Sequence, residues 1–374
     1  MTHIDLQHWI KFEERKLAVS AIQDLAKLPL INNTEELVFE LANKWLNGEE
    51  EFSQHSSGST GKPKEIKIKR AQMEASAKAT LQTLALNAGD TALLSISPKY
   101  IGGKMMVVRA LLGSLNLIIG EVSGNPLKDI SNEEKIDFFS FVPYQIDQII
   151  NHFPEGINLL NQSKAIILGG APVSDALAHQ IKEHINAPVY STYGMTETVS
   201  HIALKHINAN AEAHFKVLQN VMISTDERDC LVIEAEAITG IPQLVTNDIV
   251  KLYNKEEFEW LGRYDFVINS GGIKIHPEQV EKTLSEVFKQ INSNNAFFVF
   301  GQPDSKFGSR LCLAIEGKVE EESIRPKFKE NLAPYHQPKE IYFIPEFSYT
   351  GSGKINRNET LMNAGIDFTK QKPA

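Results

Sequence analysis

Between residues 91 and 194 the chain alternates short apolar runs (TALLSIS, LNLIIG, DFFSFV, AIILGG and PVYSTYG) with stretches of helical period such as GGKMMVVRALLGS and VSDALAHQIKEHI. Strands separated by helices rather than by tight turns pair in parallel, and the helices then cover the sheet on both faces. The pattern predicts an α/β fold built on a doubly wound, mostly parallel sheet. Ligands of such sheets bind outside the carboxyl ends of the strands. ILGGAP and STYGMTET are two such strand-to-loop exits.

The flanking segments extend this frame. Residues 6–47 read as mostly helical, with apolar positions at helical spacing in LQHWIKFEERKLAVSAIQDLAKL and TEELVFELANKWL. EIKIK then reads as a strand and AQMEASAKATLQTL as a helix. From about residue 216 the pattern becomes paired strands, a β-meander: KVLQNVMIS, the polar turn TDERD and CLVIEAEAI, then DIVKLY, NKEE and FEWLG. Past Gly262 comes a smaller α+β unit. Its helix starts at Pro277, a favoured first position, and carries Val280, Leu284, Val287, Phe288 and Ile291 on one face. The predicted boundary falls at Tyr264–Asp265, giving a large N-terminal domain of residues 1–264 and a small C-terminal domain of residues 265–374.

Composition narrows the function. A hydrophobic share of 42% and a charged share of 23% describe an ordinary soluble globular chain. The net charge of −9 argues against nucleic acid as a partner. The N-terminal MTHIDLQHWIKFEERK is charged within its first turns, and no segment has the apolar length to span a bilayer. A cytoplasmic protein without membrane insertion is expected. Cys230 and Cys312 are far apart and lack metal-ligand spacing, so they read as buried thiols.

SSGSTGKPK, residues 56–64, looks built to hold a phosphate. It is not a P-loop. Ser56 stands where that motif needs glycine, and Pro63 after Lys62 keeps a helix from opening there. Further motifs follow: GGAPV at 169–173, YSTYGMTET at 190–198, TNDIV at 246–250, GRYDFVINSGGIKIHPEQVE at 262–281 and TGSGKINR at 350–357. Together and in this order they resemble the adenylate-forming acyl-CoA synthetase superfamily, from Ser56 to Arg357.

That resemblance implies an enzyme using ATP and CoA as co-substrates and Mg²⁺ as metal, with a small, mobile C-terminal domain. It implies that Ser56, Ser57, Gly58, Ser59, Thr60 and Gly61 wrap the β- and γ-phosphates as an anion nest, with Lys62 and Lys64 adding charge. Gly169, Gly170 and Ala171 would let adenine lie against backbone. Tyr193 would stack on it, followed by Gly194 and Met195. Thr196 would reach the α-phosphate and Glu197 would hold Mg²⁺. Asp248 would bind the ribose hydroxyls, with Arg263 near the same ribose. Asn247 stands where the family usually has Gly. Lys354 would act on the carboxylate and α-phosphate during adenylation. Asp265 occupies the hinge position, and Gly271 and Gly272 the face used for thiolation.

MTETVSHIA resembles the branch that ligates o-succinylbenzoate to CoA for menaquinone biosynthesis. Such a substrate carries two carboxylates and a ring, so its pocket needs a cation besides Lys354. Lys99, Lys104 or Arg109 in SPKYIGGKMMVVR could supply it, and Ser200 and His201 would line the pocket floor. A ligase for another acid, a carrier-protein-loading enzyme and a non-catalytic nucleotide-binding relative stay open, as does a homodimer. Only 55 residues precede the phosphate loop, so an abbreviated N-terminal subdomain is expected.

Overall fold

The computed structural model describes residues 8–12, 15–19, 33–55, 65–208, 211–349 and 355–368. They fall into two compact units: the described parts of Met1–Ser56, Pro63–Met222 and Glu234–Leu244, and those of Ile223–Ile233 and Val245–Ala374.

The first unit begins with β1 (Trp9–Phe12), β2 (Arg15–Ala18) and α1 (Asn33–Leu46). The expected helix over the opening residues is thus replaced by two strands. A segment this short fits strand and helical periods alike. Pairing decides it: β1 lies parallel to β6 (Asn116–Ile119), with Ile10 opposite Leu117. Next come β3 (Glu51–His55) and β4 (Glu65–Lys69), an antiparallel hairpin whose last pair is His55 and Glu65. Residues 56–64 connect the two strands and lie outside the described residues.

The alternating region forms as its period predicts: α2 (Arg70–Thr83), β5 (Thr91–Leu94), α3 (Ile101–Gly113), β6, β7 (Phe138–Phe141), α4 (Pro143–His152), α5 (Ile157–Asn161), β8 (Ala165–Leu168), α6 (Asp175–His184) and β9 (Val189–Gly194). Local chemistry sets two of the helix starts. Pro143 opens α4, and the Ser174 side chain caps α6 by accepting from Leu177 N–H. β10 (His201–His206), β11 (Phe215–Val217) and α7 (Glu236–Thr239) complete the unit.

Its strands run in the order β11-β10-β9-β8-β7-β5-β6-β1-β2. Pairing is parallel from β9 to β1 and antiparallel at both ends. One face buries Leu93, Ile118, Phe139, Phe141, Ile166, Leu168 and Val189 against α4 and α6. Their alternates Ala92, Leu94, Leu117, Ile119, Phe138 and Ile167 are buried too, so both faces are covered. Strand order reverses between β5 and β7, and there the carboxyl ends diverge. Buried Gln145 ties them together, accepting from Val142 N–H at 3.0 Å and donating to Ser95 O at 3.0 Å and Ser123 O at 2.9 Å.

The second unit contains β12 (Met222–Thr225), β13 (Cys230–Glu234), β14 (Leu244–Leu252) and β15 (Glu257–Arg263) as sequential neighbours. A second sheet pairs β16 (Ile268–Ser270), β17 (Ile273–Ile275), β18 (Phe297–Asp304), β19 (Gly308–Glu316) and β20 (Glu340–Ile344). α8 (Pro277–Gln290) buries Val280, Leu284, Val287 and Phe288, with Ile291 packed beside them, as its period predicts. α9 (Glu321–Asn331) and α10 (Arg357–Asn363) follow. Cys230 and Cys312 are free and buried, and burial pushes their thiols up to about 11 and about 12. Among the described residues no helix is long and apolar enough to cross a membrane.

Gly103 lets α3 begin against the exit of β5: a Cβ there would lie 2.2 Å from Ile96 O and 2.5 Å from Ser97 O. Gly→Ala inside a helix ordinarily stabilises by up to about 1 kcal/mol. Here the sign reverses, and Gly103→Ala should destabilise by about 1–3 kcal/mol, read from the shift of the chemical-denaturation midpoint. A stabilised variant would disprove the close approach.

Candidate active site

The parallel strands of the first unit bring the exits of β5, β7, β8 and β9 to one edge. Beyond β8, Gly169 N–H donates to Phe141 O at 3.0 Å, and a Cβ on Gly169 would lie 2.8 Å from Thr192 Oγ1. Gly170 has φ +83, and Ala171 is exposed. Near the end of β9 stands half-buried Tyr193, tilted on Phe215 with centroids 5.9 Å apart. Half-buried Thr196 and exposed Glu197 share the single 3-10 turn Thr196–Thr198. Thr198 staples that turn: its hydroxyl oxygen accepts from Met195 N–H at 2.9 Å and lies 2.6 Å from Ser200 O.

The chain then doubles back. Val199 has φ +62, and Ser200 N–H donates to Thr198 O at 2.6 Å, a γ-turn of the strained hand on a residue only 1% exposed. Strain of this kind costs on the order of 1–3 kcal/mol and collects at functional sites. It lays the Ser200–His201 backbone against Gly194, where a Cβ would be 2.3 Å from Ser200 O.

Behind this turn lies a buried polar chain. Arg109 on α3 is 1% exposed, and its Nη2 donates to Ser200 Oγ at 2.6 Å. Ser200 Oγ lies 3.3 Å from His201 Nδ1. His201 Nε2 lies 3.3 Å from Thr80 Oγ1 on α2, and Thr80 donates to Ser76 O at 3.1 Å. Arg109 Nε has no partner, and among the described residues no carboxylate pairs with the guanidinium. Burial alone draws Arg109 down to about 10, so it stays charged at neutral pH. Burial and the Arg109 charge hold His201 well below the ordinary histidine value, so that ring is neutral.

Arg109, Ser200 and His201 are thus brought together, and Thr80 joins them. Helix propensity hides Thr80 in the sequence, where it reads as one more position of α2. The two candidate lysines go elsewhere. Lys104 Nζ donates to Ser53 O on β3 at 2.5 Å, and burial lowers its pKa. Lys99 is exposed, and its carbonyl accepts from Gln54 Nε2 at 2.9 Å. Both anchor β3, the strand that leads into residues 56–64.

In the second unit Asp248 on β14 lies opposite Arg263 on β15. Arg263 Nη2 pairs with Asp265 Oδ2 at 2.5 Å, and its Nε lies 3.8 Å from Asp248 Oδ1. Asn247 Nδ2 donates to Asp265 Oδ1 at 3.2 Å, while Asn247 Oδ1 accepts from Arg228 Nη1 at 3.1 Å. Asn247 lies within β14 and has no positive φ, so its side chain, rather than a turn, is what this position uses. Arg228 also stacks on Tyr264, 5.1 Å from the ring centroid. Spacing gave no signal for Arg228. Gly271 and Gly272, with φ +58 and +84, form the two-residue turn between β16 and β17, which needs positive φ at both positions. Glu278 on α8 faces the backbone of Gly262, where a Cβ would meet its Oε2 at 2.3 Å.

Ser56, Ser57, Gly58, Ser59, Thr60, Gly61, Lys62, Lys64 and Lys354 lie outside the described residues. Tyr349 and Ile355, on either side of residues 350–354, form an antiparallel bridge.

The sequence profile of the AMP-binding enzyme family matches residues 20–236. The 2-succinylbenzoate–CoA ligase of Lactococcus lactis is 26% identical over 323 residues, covering 82% of this chain and 69% of the relative. An acyl-CoA synthetase (AMP-forming)/AMP-acid ligase II-like protein from Dyadobacter fermentans is 38% identical, with TM-score 0.60 and coverage of 91% and 97% of the two chains. An o-succinylbenzoate CoA synthetase from Bacillus subtilis, solved with its acyl-adenylate, has TM-score 0.77 at 17% identity, covering 98% of this chain and 96% of that one.

Glu278 carries a pH signature. Burial pushes its carboxyl up to about 7, Arg357 pulling it down and Glu281 pushing it up. Between about 4.5, the ordinary value, and about 7 the folded state holds the proton and the unfolded state does not, so stability falls as pH rises through that window. Glu278→Gln should flatten the slope and leave the variant more stable than the parent at pH 8 by on the order of 1–3 kcal/mol. Denaturant midpoints from pH 5 to pH 8 decide it; parallel slopes would refute the assignment.

Proposed function

The chain belongs to the AMP-binding enzyme family and is an AMP-forming acyl-CoA ligase; on that premise we propose that its acid is o-succinylbenzoate, which it joins to CoA as ATP is cleaved to AMP and pyrophosphate. The observation that carries this reading is Arg109, a buried guanidinium with no carboxylate beside it among the described residues. A charge taken out of water costs several kcal/mol unless an opposite charge meets it. A substrate with a second carboxylate supplies that charge, and a monocarboxylic acid does not.

Two steps follow. A carboxylate oxygen of the acid attacks the α-phosphorus of ATP, the bond from that phosphorus to the bridging oxygen breaks, and pyrophosphate leaves. The CoA sulfur, its proton released, then attacks the acyl carbon, and AMP leaves with the carbon–oxygen electron pair. Tyr193 offers a half-buried ring for adenine, and Gly169 and Gly170 at the exit of β8 carry no side chain to bar a base from the backbone. Thr196 stands one turn on, as a hydroxyl donor to the α-phosphate. Asp248 and Arg263 are the ribose pair. Lys354 places a positive charge where the pentavalent phosphorus builds up negative charge, and residues 56–64 take the β- and γ-phosphates.

Mg²⁺ in phosphoryl-transfer sites takes one or two carboxylates and completes its shell with phosphate oxygens and water. Glu197, exposed on its turn, fits that donor set and would hold the ion, whose charge would offset that of the phosphates. Asp265 is the hinge at which the small domain turns between steps, and Gly271 and Gly272 form the loop that faces CoA in the second step.

AMP release from ATP and Mg²⁺, with CoA and a panel of mono- and dicarboxylic acids, tests this. Turnover should be driven by o-succinylbenzoate. Arg109→Met should raise its KM on the order of 100-fold, as expected for a buried charge pair that loses one partner, and Lys354→Ala should abolish acid-dependent pyrophosphate exchange. If a monocarboxylic acid turns over faster, the substrate assignment is wrong while the ligase chemistry stands.

A further inference from the structure

We propose that Thr80 is a positioning residue of the acid site: it fixes the tautomer of His201 and, through Ser200, the direction in which Arg109 is held. The hydrogen bonds themselves lead to this. A hydroxyl has one proton to give. Thr80 lies 3.1 Å from Ser76 O, a carbonyl that can only accept, and back-bonding to the carbonyl four residues earlier is the habit of a helical threonine. Its proton is therefore committed, and toward His201 Nε2, 3.3 Å away, Thr80 Oγ1 can only accept. Nε2 then carries the ring hydrogen.

His201 is neutral, so a hydrogen on Nε2 makes Nδ1 an acceptor. Ser200 Oγ, 3.3 Å from Nδ1, donates to it and turns its lone pairs to Arg109 Nη2 at 2.6 Å. The donors thus run in one direction from Arg109 through Ser200, His201 and Thr80 to Ser76. Opposite polarity would aim Nδ1–H and the Arg109 N–H at the same Ser200 oxygen. Three of the four linked side chains are closed from solvent: Thr80, His201 and Arg109 are 0%, 5% and 1% exposed, while Ser200 is half-buried. At the buried far end, among the described residues, Thr80 is the side chain that meets Nε2 and so anchors the polarity.

Thr80→Val keeps the shape and removes the acceptor; Thr80→Ser keeps the hydroxyl. Long-range ¹H–¹⁵N spectra of the full-length protein labelled at histidine, assigned with His201→Asn, read the tautomer directly. The parent and Thr80→Ser should show Nε2 protonated and Nδ1 bare. Thr80→Val should show the Nδ1–H form or a mixture of the two. The KM for o-succinylbenzoate should rise about tenfold in Thr80→Val, the scale of one buried hydrogen bond, with the KM for ATP within about twofold, and Thr80→Ser should restore it.

A parent ring protonated at Nδ1, or a Thr80→Val ring unchanged from the parent, overturns the assignment, and the parent spectrum alone can do so should Thr80→Val not fold. A changed ring with an unchanged KM overturns the part concerning Arg109. The effect on the acid, unlike the effect on the ring, rests on o-succinylbenzoate being the substrate. If the parent does not turn that acid over, the substrate reading falls and the ring spectra still decide what Thr80 does.

Discussion

Parallel pairing from β9 through β8, β7, β5 and β6 to β1 is the constraint on which the first unit's chemistry depends. It sends every one of those strands out of the sheet at the same edge. The reversal between β5 and β7 separates two of the exits, and Gln145 bridges the separation with three backbone hydrogen bonds. Neighbouring atoms then crowd that edge closely enough for side chains to be excluded at two exits. Gly169 faces a threonine hydroxyl, and Gly194 faces the returning Ser200–His201 segment. Glycine at these positions reflects contact with neighbouring atoms as much as dihedral freedom, since only Gly170 of the three has positive φ.

The two units handle charge in different ways. In the first, a guanidinium is withdrawn from water and met by a hydroxyl, so much of its desolvation goes uncompensated within the described residues. In the second, charges are paired and bridged. Asp226 holds Arg228, which holds Asn247, which holds Asp265, which holds Arg263. The first arrangement suits a site completed by an anion from outside. The second holds together the segment around the 3-10 turn Tyr264–Phe266.

How much of this could be read beforehand follows from what each level of structure records locally. The strand and helix succession from residue 65 to residue 194 was legible, because apolar period and flanking turn residues both speak for it. The first strands were not, since Trp9–Phe12 and Arg15–Ala18 take their identity from β6 and from each other rather than from their own spacing. Arg109 was visible only as one of three cations in a row. Its burial, and the diversion of Lys104 to Ser53 O, depend on how α3 rotates against its neighbours. Thr80 and Arg228 gave no signal, because hydrogen bonds between residues 121 and 19 positions apart leave no trace in a local pattern. Asn247 was visible as a departure from the expected glycine, and the structure supplies the use of its amide.

The burial of Arg109 has a consequence for ionic strength. Mobile ions weaken attraction between charges that share the solvent, with a screening length of about 8 Å at physiological salt, and weaken it far less where neither charge is reached by water. An anion seated against a guanidinium 1% exposed is held by a force that added salt barely touches. Glu197 stands in the open at the same sheet edge, and contacts made there share the solvent's screening. If the acid is seated at Arg109 and the nucleotide at Glu197 as proposed, two electrostatic regimes meet in one site, and as salt rises the grip on the acid should outlast the grip on the nucleotide.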